Sequence, residues 1–95
     1  KLYREALLIE LESRGLKAQK NVQIPVSYKG TSIGDYFIDL LVEDKVILEL
    51  KSVERHDPVF EAQILSYMKL TGVKVGLLIN FNSKLLKDGV KRFVI

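Results

Sequence analysis

The chain has 95 residues and a mass of 10.8 kDa, room for one small domain spanning 1–95. Hydrophobic residues make up 47%, charged residues 28%, and cysteine is absent. This excludes a disordered or collagen-like chain, a disulfide framework, a thiolate metal site and thiol catalysis. The longest apolar stretches, such as Ala6–Ile9, are far too short to span a bilayer. With no leader in view, a cytoplasmic location is expected. The chain begins at Lys1 without Met, so a preceding segment is expected. A core this small is marginal alone and would gain from that segment or from homodimerisation.

The net charge of +3 is unevenly spread. Residues 1–30 carry six bases and three acids, residues 35–61 eight acids and three bases, and residues 62–95 six bases and one acid. An acidic centre between basic flanks suits a cation site beside a polyanion-binding surface. An ordinary mixed solvated surface would look the same.

In chain order, residues 1–14 read as a helix. Leu2, Tyr3, Ala6, Leu7 and Leu11 recur at helical spacing, Leu8 and Ile9 widen the stripe, and Gly15 is a stop signal. Lys20–Tyr28 alternates like a strand, near an edge because Pro25 cannot donate to a ladder. Lys29-Gly30 is a turn. Gly34 leads into a second strand, Tyr36–Val42, and a third runs from Val46 to about Val53. Asp57 and Pro58 supply an N-cap and first residue for a helix to about Leu70, ended by Gly72. Lys74–Phe81 reads as a strand buried on both faces. Asn82–Gly89 is a loop or short turn, and Lys91–Ile95 a last edge strand. The order α-β-β-β-α-β, with a final β, gives an α/β fold: a mixed sheet with flanking helices. Its third and fourth strands are parallel, and the first three form a meander.

Alternation along the second strand places Phe37, Asp39 and Leu41 on one face, and along the third Ile47, Glu49 and Lys51. A three-residue loop closing on Val42 and Val46 would set Asp39 opposite Glu49, with Cβ atoms about 5 Å apart. A two-residue loop would move them to opposite faces. Two such carboxylates repel unless a cation sits between them, and they are hard ligands suited to Mg²⁺ or Mn²⁺. Lys51 could orient or deprotonate a water, or offset charge on a phosphate. A surface salt-bridge cluster is the plainer reading, but charges on strands this apolar are costly unless paired or liganded. Gln63 and Tyr67, four apart on the second helix, could lean over the carboxylates. They could equally be a flank amide and a core ring.

Asp39, the run Glu49-Leu50-Lys51 and this element order resemble the PD-(D/E)XK nuclease superfamily, with its restriction-endonuclease-like core. Gln63-Ile64-Leu65-Ser66-Tyr67 is similar to the Gln-x-x-x-Tyr motif of its exonuclease-like branch. More narrowly, stretches along nearly the whole chain are similar to the GxxExxxR family, among them Lys1–Leu7, Glu61–Gln63, Val75–Phe81 and Asp88–Arg92. The resemblance implies a metal-dependent nuclease acting on nucleic acid, chiefly DNA. Asp39, Glu49 and the Leu50 carbonyl would hold Mg²⁺ or Mn²⁺, Lys51 would be the catalytic lysine, and Gln63 and Tyr67 would support it. The alternative is an inactive nuclease-like module that binds nucleic acid or protein. Ile38 stands where many members have Pro. Arg4 matches the last position of the GxxExxxR motif, so the motif Glu would precede Lys1, with Glu5 as a substitute ligand. Arg4 itself reads as a phosphate clamp or an internal carboxylate partner. His56 reads as a solvated loop residue. Lys84, Lys87, Lys91 and Arg92 read as a phosphate track or a solvated edge.

Overall fold

The computed structural model describes residues 2–95. Helix α1 (Leu2–Ser13) is followed by strands β1 (Ala18–Tyr28), β2 (Thr31–Val42) and β3 (Val46–Lys51). Helix α2 (Pro58–Thr71), strand β4 (Val75–Asn80), a 3-10 turn (Leu86–Gly89) and strand β5 (Val90–Val94) complete the chain. The five strands form one mixed sheet in the order β1-β2-β3-β4-β5. Every pair is antiparallel except β3 and β4, which run parallel and are joined through α2. Pro25 sits on the edge strand β1, opposite Asp35, in the kind of strand that tolerates a residue without an N–H.

Helix α2 is set by its ends. Asp57 accepts a hydrogen bond from the Val59 N–H at 3.0 Å, and Pro58 occupies the first turn. Gly72 closes the helix in the left-handed region (φ 76°), donating its N–H to the Met68 carbonyl. The buried side of α2, Ile64, Tyr67 and Met68, packs on Ile24, Ile38, Leu41, Ile47 and Leu78. Helix α1 covers the other side, where Leu7, Leu8 and Leu11 lie over Leu40, Val42 and Leu48. Of the apolar stripe expected along α1, Leu2 and Ile9 remain 86% and 67% exposed. A single 12-residue helix cannot turn all of its apolar positions toward one sheet face.

Strands β1 and β2 are longer than expected and make a projecting arm. Ser32, Gly34 and Asp35 have weak strand propensity, and β1 pairing carries them despite a register shift at Val26/Ser27. Strand β3 stops at Lys51 and not near Val53. There the Asn80 side chain holds the departing backbone, Oδ1 accepting from the Val53 N–H at 3.1 Å and Nδ2 donating to the Val53 carbonyl at 3.0 Å. Behind it, a Cβ added to Gly89 would overlap the Asn80 carbonyl, so the approach of the 3-10 turn to β4 depends on glycine.

Candidate active site

The turn between β2 and β3 fixes the register of the two carboxylates. Glu43 and Asp44 both take φ 55°, and the Lys45 N–H closes on the Val42 carbonyl at 2.9 Å. The loop is therefore three residues long, and the ladder runs Val42–Val46, Leu41–Ile47, Leu40–Leu48. One step further, Asp39 comes opposite Glu49, and the main-chain ladder stops. Two side-chain bonds replace it. The Asp39 N–H donates to Glu49 Oε2 and the Leu50 N–H donates to Asp39 Oδ2, each at 2.8 Å. The carboxylates thus occupy the seam where β2 and β3 part.

Regular alternation along β2, which would put Asp39 squarely on the face of Glu49, breaks at Asp39. Ile38 belongs to the α2 side of the sheet and Leu40 to the α1 side, so β2 switches faces between them. Strand β1 switches at the same level, between Ala18 and Val22, with Asn21 at φ 52°. Glu49 and Lys51 continue the parity of Ile47 on the α2 side. Asp39 sits at the switch and lines a cavity of about 420 Å³ on the α1 side with Arg4, Asn21 and Leu50. The cross-strand hydrogen bonds, and not a shared face, bring Asp39 and Glu49 together.

Glu49 is the one buried charged residue among the described residues, 4% exposed. Burial, reinforced by the Asp39 charge, pushes its carboxyl up to about 7 against the Asp39 N–H bond and the Lys51 charge. Among the described residues no cation lies within ion-pair distance of it. The Lys51 ammonium rests instead over the Phe60 ring, 4.5 Å from its centroid. Tyr67 is 6% exposed and packs on Tyr36 with ring centroids 5.3 Å apart. Its hydroxyl is held above the usual phenol range, first by burial and then by the charges of Glu49 and Asp39. Gln63 is half-buried one turn earlier on α2.

Arg4 turns inward as an internal partner, donating Nη1 to Asn21 Oδ1 at 2.9 Å and Nε to Glu5 at 3.3 Å. Glu5 is also bonded by Lys20 at 3.1 Å, which lowers its carboxyl below the usual range. Glu5 is therefore engaged by Arg4 and Lys20, and no group of three or more His, Asp or Glu side chains forms a metal cluster among the described residues. The donors at the seam are Asp39, Glu49 and the Leu50 carbonyl. All are oxygens, and Asp39 Oδ1 and Glu49 Oε1 are left free by the hydrogen bonds above. A hard divalent cation fits this set, and a buried carboxylate without a counter-charge favours one.

His56 is not merely solvated. Its Nε2 lies 2.6 Å from Glu61 Oε2, which also accepts from Lys91 at 2.8 Å. Both neighbours hold the Glu61 carboxyl low, Lys91 first. Lys84, Lys87 and Arg92 are exposed. Sequence reasoning passed over Asn80, Phe60 and Tyr36. Only Asn80 left a trace in the sequence, as a polar residue closing an apolar strand.

A model of the PD-(D/E)XK nuclease superfamily matches residues 1–93. The chain belongs to this superfamily. The mixed five-stranded sheet with its two helices is consistent with the restriction-endonuclease-like fold. Comparisons with curated proteins and with solved structures return no match. PD-(D/E)XK nucleases generally use divalent metals and act on nucleic acid. Among the described residues no helix is long and apolar enough to cross a membrane.

Proposed function

We propose that this chain is a Mg²⁺- or Mn²⁺-dependent nuclease hydrolysing phosphodiester bonds, chiefly in DNA. The observation that carries the reading is the buried, unpaired Glu49 carboxylate tied across the seam to Asp39, two residues from Lys51. Asp39, Glu49 and the Leu50 carbonyl would hold the cation, which when bound polarises a phosphoryl oxygen and makes water a stronger nucleophile. Lys51 leaves the Phe60 ring to offset negative charge on the attacked phosphate and to orient the attacking water by donating a hydrogen bond to it. Tyr67, kept protonated by burial and by the two carboxylates, donates its hydroxyl toward phosphate oxygen. Gln63 offers an amide one turn away. Arg4 positions the Asp39 side of the site through Asn21.

Within the superfamily we assign the chain to the GxxExxxR family, on the stretches quoted above. Its proposed partner is nucleic acid. Homodimerisation would draw on the exposed Tyr28, Ile33 and Phe37 of the β1–β2 arm, and sedimentation velocity tests it. The functional test is cation-dependent cleavage of labelled single- and double-stranded DNA and of RNA. A folded, cation-bound protein that leaves all of them uncut would leave the binding-module reading in its place.

A further inference from the structure

Beside Lys51, on the opposite side of the seam from the Arg4–Asp39 cavity, a second cavity of about 390 Å³ opens between α2, the end of β4 and the start of β5. Phe60, Leu78 and Val90 give it apolar walls, while Glu54 and Asp88 add acidic groups and His56 and Lys91 basic ones. We propose that it is a nucleoside pocket, taking the base and sugar next to the scissile phosphate; the proposal rests on the nuclease reading.

The chemistry separates this occupant from others. His56 and Lys91 are both held by Glu61, at 2.6 and 2.8 Å, and with Glu54 and Asp88 beside them the lining offers no surplus of positive charge for a second phosphate. An apolar wall with an aromatic ring and a few acceptors suits a base, whose exocyclic amino groups donate to carboxylates. The volume lies within the range of small-ligand sites. Lys51 lines the same cavity, so a base lodged there has its own phosphate at the ammonium.

A consequence concerns the form of the substrate. A base inside a continuous duplex cannot enter a side pocket without leaving its stack and its partner. The site should therefore cut single strands and frayed ends faster than internal duplex, by roughly tenfold or more. Because amino-bearing bases find acceptors and thymine has no exocyclic amine, dCMP and dAMP should bind ahead of TMP.

The test titrates the purified protein with dCMP, dAMP and TMP without divalent metal, following amide shifts by NMR. Saturable shifts at Phe60 and Val90, stronger for dCMP and dAMP, are expected. They should be lost in Val90→Phe, which narrows the cavity at a half-exposed strand position where Phe is well tolerated; an unchanged melting temperature verifies its fold. Asp88→Asn leaves the cavity's size intact and should remove the preference over TMP. Shifts scattered over surface lysines, or none, would overturn the pocket, as would equal cleavage of single strands and internal duplex. Binding at the pocket without cleavage would instead count against the nuclease reading and leave the pocket standing.

Discussion

Replacing Glu49 by Gln should stabilise the protein at neutral and alkaline pH. The carboxyl is buried and raised to about 7 from an ordinary 4.5, chiefly by desolvation. The native state therefore holds its proton more tightly than the unfolded chain. Between about pH 4.5 and 7 the folded form carries more protons, so stability is complete below that window and falls as pH rises through it. The gap corresponds to roughly 3 kcal/mol lost by pH 8. Glutamine keeps the shape and an oxygen that can accept the Asp39 N–H, but it has no charge to bury. Glu49→Gln should match the wild type near pH 4.5 and exceed it by up to about 3 kcal/mol at pH 8, a melting-temperature gain on the order of 10 °C or more. Urea denaturation of both proteins from pH 4.5 to 8, in metal-free buffer, measures it. A Gln variant less stable than wild type at pH 8 would mean that the charged carboxylate is favourably paired in the native seam, and would refute this account of Glu49.

Millimolar Mg²⁺ or Mn²⁺ at pH 8 should raise the wild-type melting temperature, by about 2.7 kcal/mol of stabilisation at a hundredfold excess over the dissociation constant. Asp39→Asn should abolish the effect, and an undiminished shift in that variant would remove Asp39 from the cation site. Asn80→Ala loses both bonds to Val53 and should cost roughly 1–3 kcal/mol; hydrogen exchange should show faster opening at Val53. Asp57→Ala should cost about 1 kcal/mol through the lost N-cap, measured by urea titration.

The element order was legible because it rests on local signals, whereas the Asp39–Glu49 register stayed open between a two- and a three-residue loop. Asp57, Pro58 and Gly72 bound one helix, and the short interruption after Val42 admits few loop lengths. The face switch at Asn21 and Asp39 was not legible. Alternation is a rule for regular strands, and nothing in Ile38-Asp39-Leu40 marks the break, which depends on β1 becoming irregular at the same level. The arm extends beyond the strand the sequence predicts because Ser32, Gly34 and Asp35 are poor strand formers held by cross-strand pairing. Lys51 over Phe60 and His56 on Glu61 span the irregular segment before α2, where no periodicity fixes side-chain directions, and Lys91 reaches Glu61 from thirty residues away, once α2 has docked.

The central claim is that the seam residues are a hydrolytic centre. Its most direct test is the rate of cleavage of a labelled single-stranded DNA by wild-type protein and by Lys51→Ala, with and without Mg²⁺ or Mn²⁺. Cleavage should require the cation and should fall roughly 100- to 1,000-fold in the variant, with its melting temperature little changed because the ammonium is half-exposed. Cation-dependent cleavage that continues at the wild-type rate in a folded Lys51→Ala protein would contradict the claim.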